Sequence, residues 1–170
     1  MSDERASVQP LSDWLQASRS LAIAVEGLTE DDLNLRGGPD GWSIGENVHH
    51  MVESYLAACT IVIAAVGTSG YAYDCSWMNL DLARLERMGY SRVVVAPAIE
   101  VVSALCHYVA ALLSAVPDAL RCEVKLLAAP GTEPYVMTAE EMIRQEAEHA
   151  RKHLQAVNDA LKQRLPSEAE

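Results

Sequence analysis

The chain has 170 residues, with 13 basic and 24 acidic side chains and a formal net charge of −11. This length is typical of one domain whose core needs no disulfide or structural metal, and we expect a single domain over 1–170 with flexible termini at 1–9 and 166–170. An acidic surface repels phosphate backbones and anionic lipid headgroups, so we expect no nucleic-acid partner and no membrane partner.

Cysteine usage and the N-terminus favour a cytoplasmic protein. The first residues are acidic and lead into no apolar signal core, and the four cysteines are far apart with no Cys-x-x-Cys pair. The longest apolar stretches span 48–66 and 93–116. Because Glu53 interrupts the first and Pro97 and Glu100 interrupt the second, neither is typical of a membrane span.

Helical periodicity begins near the N-terminus. Pro10 suits the first turn of a helix, and apolar residues recur at three- and four-residue steps over 11–25. A glycine- and proline-rich break at 37–41 separates this first predicted helix from the next.

The second predicted helix begins near Ile44. Ser43 and Glu46 have the spacing of a capping box, in which a hydroxyl and a carboxylate satisfy the first free amides. Gly67 and the turn-forming residues after it end the helix. Its predicted inward stripe consists of Ile44, Val48, Met51, Val52, Tyr55, Cys59, Val62 and Val66.

A long connection follows. Residues 71–77 concentrate aromatic side chains beside an acid without a clean period, and 80–88 could form a short helix. The third predicted helix spans about 96–116 and is apolar on nearly every side. Beyond it, 117–137 is predicted to be a second loop in which 123–127 is the one candidate strand.

A fourth long helix begins at a second capping box, formed by Thr138 and Glu141. Its predicted apolar stripe consists of Ile143, Ala147, Ala150, Leu154, Val157 and Leu161. Four long helices, two medium loops and no internal repeat predict an all-α fold, a globular four-helix bundle.

Histidines are the most suggestive side chains. His149 and His153 are four residues apart, so they project from one side of the fourth helix within reach of a single metal ion. Either His49 or His50 could supply a third imidazole if the second and fourth helices are neighbours. A helical wheel of the second helix favours His49.

The sequence resembles a known family. Residues 41–54 look like the helix-two signature of the DinB superfamily, and closely like its YfiT branch, in which a Trp-Ser/Thr start leads to a His-His pair. Tyr73 and Asp74 followed by Trp77 are similar to that branch's connection, and 149–154 resemble its closing His-x-x-x-His motif. The resemblance covers most of the chain between residues 42 and 157.

The resemblance implies a four-helix bundle, often a homodimer, that binds one divalent ion per chain through three histidines. The helix-two ligand is the histidine eight positions after the motif tryptophan, Trp42, which is His50. The other two ligands are His149 and His153, with His49 in reserve. Zinc or nickel is the expected ion.

Acidic residues near the motifs are candidates for catalysis. Three imidazoles leave an open position on the ion, where water or a thiol can become nucleophilic. Asp74 and Glu46 are the candidate catalytic groups, with Glu53 also considered for proton transfer. Asp74 could instead close a turn, Glu46 complete its capping box and Glu53 be solvated. Tyr73 and Trp77 could wall the pocket or pack the connection.

Two functions remain open. The first is a metal-dependent hydrolase or S-transferase acting on a small-molecule substrate, with a low-molecular-weight thiol as one candidate. The second is a non-catalytic dimeric bundle that binds a metal or small ligand in a sensor or stress role. An open pocket at the ion favours the first, whereas a fourth protein ligand indicates a structural site. The apolar third helix favours a homodimer unless 71–88 covers it.

Overall fold

Four long helices, a short helix and a three-stranded sheet are the main elements in the part of the chain that the computed structural model describes. That part comprises residues 2–37, 41–76, 87–127, 129 and 131–163, with side chains from Gln9 onward. The elements are α1 Ser2–Val25, α2 Glu30–Leu33, α3 Ile44–Gly67, β1 Tyr71–Asp74, α4 Val95–Ala115, β2 Glu123–Leu127, β3 Tyr135–Thr138 and α5 Ala139–Lys162.

The long helices form the predicted four-helix bundle. Around it they follow the order α1, α5, α3, α4, so that each packs against two others. Helices α3 and α5, which carry the histidine motifs, are therefore direct neighbours. The core between the helices is mostly aliphatic, and its largest fully buried side chains include Trp14, Tyr55, Leu21, Ile44, Met51 and Ile143.

Both predicted capping boxes are present. At the start of α3, the Ser43 hydroxyl accepts a hydrogen bond from the Glu46 amide at 3.1 Å, and the Ser43 amide donates to the Glu46 carboxylate at 2.7 Å. Thr138 and Glu141 make the same pair of bonds at the start of α5. These contacts satisfy amides that have no partner within the helix, which is why both helices begin where the sequence predicts.

Helix α1 differs from the prediction at its N-terminus. It begins at Ser2, so Pro10 lies inside the helix rather than in its first turn. The sequence before Pro10 contains good helix formers such as Glu4 and Ala6 and has no glycine. The helix therefore extends past the proline, although Pro10 cannot donate a backbone hydrogen bond there.

The sheet joins the two connections of the bundle. Strand β1 pairs in parallel with β2, with Tyr71 opposite Val124, and β2 pairs antiparallel with β3. The strand predicted over 123–127 is confirmed, whereas β1 and β3 lie in segments expected to be loops. Both are four-residue edge strands with no fully buried side chain, so they carry no alternating burial pattern that a sequence could reveal.

Some predicted features fall outside the described residues, namely Trp77, residues 80–86 of the predicted short helix and the terminal segment 166–170.

Among the described residues, two helices, α3 and α4, are long and apolar enough to cross a membrane by length and composition alone. This is weak support for a membrane protein, since the core helix of a bundle meets the same test. Helix α3 is such a core helix, with 56% of its apolar stretch buried, whereas the value for α4 is 28%.

Candidate metal centre and adjoining cavity

Three histidines from two neighbouring helices converge on one point. His50 lies on α3, and His149 and His153 lie one turn apart on α5. The Nε2 atom of His149 is 3.3 Å from Nε2 of His50 and 2.9 Å from Nε2 of His153. One ring nitrogen from each residue lies within 4.8 Å of the other two. The sequence-predicted ligand set is thus brought together in space.

The hydrogen bond made by Nδ1 of His153, the ring nitrogen that points away from the other two histidines, identifies the tautomer of this ring. Nδ1 of His153 is 2.7 Å from Oδ1 of Asn47 on α3. The Asn47 amide nitrogen donates to the backbone carbonyl of Ser43 at 2.8 Å, which fixes the orientation of the amide group. Because Oδ1 can only accept, Nδ1 of His153 carries the proton, and the lone pair of Nε2 faces the other two imidazoles.

The outer nitrogen of His149 has a similar partner. The Ser54 hydroxyl donates to Oε2 of Glu146 at 2.7 Å, and the Ser54 oxygen lies 3.0 Å from Nδ1 of His149. Since the hydroxyl proton is engaged with the carboxylate, the Ser54 oxygen accepts from Nδ1 of His149. Oε2 of Glu146 is also 3.4 Å from this nitrogen. The lone pair of Nε2 therefore faces the centre here too.

The donor set fits a divalent ion. The lone pairs of His149 and His153 face each other, a repulsive arrangement that a cation between them makes attractive. Tetrahedral zinc, about 2.0–2.1 Å from each nitrogen, places two ligand nitrogens about 3.4 Å apart, close to the separations observed. Burial and the neighbouring imidazoles of His149 and His50 lower the pKa of His153 to about 3, so this imidazole is neutral at pH 7, as a metal ligand must be.

Trp42, the tryptophan of the motif, braces two of the rings. Its indole meets the His50 ring edge-on, with ring centroids 4.8 Å apart, and stacks on the His153 ring at 5.5 Å. Packing of this kind restricts ring rotation, so Trp42 helps to hold these two imidazoles in place.

An open cavity of about 410 Å³ adjoins the centre, and His50 and His149 contribute to its lining. Polar groups in the lining include Cys75, Tyr135 and Gln145. Its apolar wall consists of Ala57, Ala58, Ile61, Leu126 and Met142. Within the described residues, no fourth cysteine, histidine or acidic side chain joins the three histidines. A group of this kind could hold a metal ion with one position left open, unlike a closed structural site.

His49, which the helical wheel favours, lies outside the cluster. Its Nε2–H donates to the carbonyl oxygen of Val93 at 3.0 Å, and its ring stacks on Tyr90 at 5.1 Å. The wheel fails because α3 is buried on several sides, so both His49 and His50 are buried and the apolar direction does not separate them. His107 is exposed on α4, and its Nδ1 lies 2.8 Å from its own helix's Ser103 carbonyl oxygen.

The two candidate catalytic acids make hydrogen bonds and an ion pair that stabilise the local backbone structure. Glu46 completes its capping box and pairs with Arg36 at 2.9 Å. Burial alone would raise the pKa of the Glu46 carboxyl, but the hydrogen bonds from Ser43 and Arg36 hold it below its ordinary value. Asp74 accepts a hydrogen bond from the Ser76 amide at 2.9 Å, which lowers the pKa of its carboxyl. A catalytic role for either acid stays a prediction.

Of the aromatic residues considered for the pocket wall, Tyr73 forms a hydrogen bond of 2.7 Å between its hydroxyl and that of Thr60 on α3. This contact holds the connection after α3 against the bundle. Of the two roles that the sequence allows for Tyr73, it favours packing over lining the pocket.

Three side chains that hold the imidazoles are not predicted from the sequence. Asn47 and Ser54 lie three residues before and four residues after His50, and Glu146 lies three residues before His149. The signal was present, because polar residues at these spacings lie on the same side of a helix as the histidine. Its meaning depends on α3 and α5 being adjacent, since Asn47 and Ser54 on α3 support histidines on α5.

Comparisons with known proteins agree with this architecture. Residues 14–157 match the DinB superfamily. A solved structure of YfiT from Bacillus subtilis, described as a probable metal-dependent hydrolase with an unusual four-helix bundle topology, superposes with a TM-score of 0.73 at 17% identity, covering 92% of this chain and 86% of YfiT. A mycothiol-dependent maleylpyruvate isomerase superposes with a TM-score of 0.63 at 10% identity, covering 88% of this chain and 59% of that one. No curated protein matches the sequence significantly.

Proposed function

Since the chain belongs to the DinB superfamily, we propose that it is a metal-dependent enzyme that holds one divalent ion, zinc or nickel, at His50, His149 and His153. The observation that carries this proposal is the set of three imidazole nitrogens facing one another beside an open cavity. When bound, a divalent ion supplies Lewis acidity that makes water or a thiol nucleophilic near pH 7.

The protein's own residues orient the imidazoles and shape the space for a substrate. Asn47 and Ser54 hold the outer nitrogens of His153 and His149, which keeps the inner lone pairs aligned. The cavity has room for a small molecule, and its apolar wall suits a substrate with an apolar part.

We propose hydrolysis or thiol S-transfer as the reaction. The names of the two structural neighbours, one a probable metal-dependent hydrolase and the other a mycothiol-dependent isomerase, support water and a low-molecular-weight thiol as the alternative nucleophiles.

The test is metal removal. Protein purified without a metal-affinity column is analysed for metals, stripped with a chelator, and assayed for ester hydrolysis and thiol conjugation before and after reloading. We expect stripping to abolish activity and reloading to restore it. The circular-dichroism helix signal should persist with a modest loss of Tm, because the bundle has its own core and the ion contributes only its binding free energy.

Two outcomes would contradict this expectation. Loss of the helix signal on stripping would indicate a structural ion. Metal binding without turnover across the substrate screen would favour the non-catalytic alternative, a dimeric bundle that binds a metal or small ligand in a sensor or stress role.

We also propose a homodimer formed through the outer face of α4. Val101 on this face is 39% exposed and Tyr108 is 57% exposed, and Val94 just before the helix is 71% exposed. A self-complementary apolar patch used twice would cover these side chains. Light scattering at micromolar concentration should give twice 18.5 kDa, and Val101→Lys or Tyr108→Glu should split the particle. A mass near 18.5 kDa for the unmodified protein would reject the dimer.

A further inference from the structure

Two acidic side chains are buried in the described part of the chain, and one of them has no structural explanation. Asp32 is accounted for by the capping box of α2, where it bonds to Thr29. Glu146 is only 4% exposed and lies on α5, one turn before His149. Its Oε1 atom is buried without a hydrogen-bond partner among the described residues. The burial of the Glu146 carboxylate therefore requires an explanation.

Burial of a carboxylate is costly unless a positive charge or several hydrogen bonds compensate it. Among the described residues, the imidazole of His149 is the one basic group within ion-pair distance of Glu146, at 3.4 Å. A metal-ligating imidazole is neutral, so it offers a hydrogen bond but no charge. The hydroxyl of Ser54 adds one further hydrogen bond.

A cation at the three-histidine centre would lie across the His149 ring from the carboxylate. Nδ1 of this ring faces Ser54 and Glu146, and Nε2 faces the other two histidines. The ring therefore lies between the buried carboxylate and the three-histidine centre. A carboxylate in this place attracts the Nδ1 proton and increases the electron density on Nε2.

We propose that Glu146, acting through Ser54 and His149, is the positioning residue and the counter-charge of the metal centre. The inference rests on the proposed metal site. It assigns Glu146 a cost in the metal-free protein, where only Ser54 and His149 offset the burial of its carboxylate, and a benefit in the metal-loaded protein, where a divalent ion would add positive charge across the His149 ring. If Glu146 only packed the core, removing its charge would not have opposite effects on the metal-free and the metal-loaded protein.

The test uses Glu146→Gln, which keeps the shape of the side chain and removes its charge. We expect the affinity for zinc, measured by competition with a chromophoric chelator at pH 7, to fall about 10- to 100-fold. We expect the Tm of the metal-free variant, measured in chelator, to equal or exceed that of the metal-free wild type, because a buried carboxylate with one oxygen unpartnered among the described residues has been removed.

Glu140→Gln is the matched control. Glu140 lies six residues earlier on α5, outside the cavity lining, and pairs with Arg144 at 2.6 Å. The control makes the same change in net charge, so it separates a local effect from the general field of an acidic protein. Zinc affinity and metal-free Tm should both remain at their wild-type values.

A second variant tests the route through Ser54. Ser54→Ala removes the hydroxyl that links Glu146 to His149, and it should also weaken zinc binding. If both residues act through one route, the double variant Ser54→Ala/Glu146→Gln should lose no more affinity than the weaker-binding single variant. Losses that multiply would overturn the route through Ser54. Should the Gln variant fail to fold, Glu146→Asp retains the charge and should bind zinc within about tenfold of wild type.

The outcomes separate this inference from the proposed function. A wild-type protein that binds no zinc or nickel would overturn the proposed metal site itself. Zinc binding by wild type with an equal affinity in Glu146→Gln would overturn the inference alone. A fall in affinity together with a fall in the metal-free Tm would also overturn it, because that pair of results indicates a packing role.

Discussion

Alanine in place of His50, His149 or His153 is expected to lower the affinity for zinc by about 100-fold or more. Each substitution removes one of three nitrogen donors, and the binding free energy of a protein-bound zinc ion is divided among few ligands. Competition with a chromophoric chelator measures the change. The three variants should remain helical, because the ligands lie at the edge of a core that the aliphatic side chains fill.

His49→Ala is the control, because His49 is adjacent in sequence and also buried. Its ring contacts the carbonyl oxygen of Val93 and the ring of Tyr90. Zinc affinity should therefore be unchanged, with a loss of stability only. Retention of zinc by His50→Ala together with its loss in His49→Ala would show that the helical wheel was right about this helix.

Trp14→Ala is expected to lower the free energy of unfolding by about 3–5 kcal/mol. Trp14 is fully buried on α1, and its ring centroid is 4.7 Å from that of Tyr55 on α3. Its indole N–H donates to the backbone carbonyl of Cys106 on α4 at 3.2 Å. One side chain thus joins three helices. Urea unfolding at pH 7 measures the loss, which is a large part of the total for a domain of this size.

Trp14→Phe separates the two contributions. Phenylalanine retains most of the buried aromatic volume and cannot donate to Cys106, so it should recover more than half of the stability lost in Trp14→Ala. An alanine variant that unfolds within about 1 kcal/mol of wild type would mean that this part of the core is not as tightly packed as the contacts indicate.

The helices could be predicted because their signals are local. Ser43 with Glu46 and Thr138 with Glu141 each lie within one turn, so the capping boxes mark both starts without knowledge of the rest of the fold. The start of α1 was the exception. Pro10 is permitted in a first turn but does not require one, and the sequence does not say which applies.

The strands could be predicted only in part, because two of them depend on pairing with a distant segment of the chain. Strand β2 has alternating burial, with Val124 and Leu126 inward, and this pattern is visible in the sequence. Strands β1 and β3 are held by pairing with β2, and in the parallel pair Tyr71 meets Val124 across more than fifty residues of chain. Such pairing depends on where the helices place the two connections. The sequence of a four-residue strand carries no information about that placement.

The site was predictable to a similar extent. The spacing of His149 and His153 indicates a shared side of one helix, and the choice of His50 over His49 came from the family resemblance rather than from periodicity. In the sequence alone, Asn47 and Glu146 look like ordinary polar residues of their helices. Their role appears only once α3 and α5 lie side by side.

The residues around the cavity belong to two kinds of chain segment. The imidazoles lie on packed helices, where nearly every change of volume disturbs a neighbour. Leu126 and Tyr135 lie on the short strands, and Cys75 directly follows β1. Connections between helices accept substitutions and insertions more readily than the helices do. In the proposed enzyme, the metal centre and the substrate preference can therefore diverge at different rates, and laboratory evolution toward a new substrate has its best starting point in the sheet.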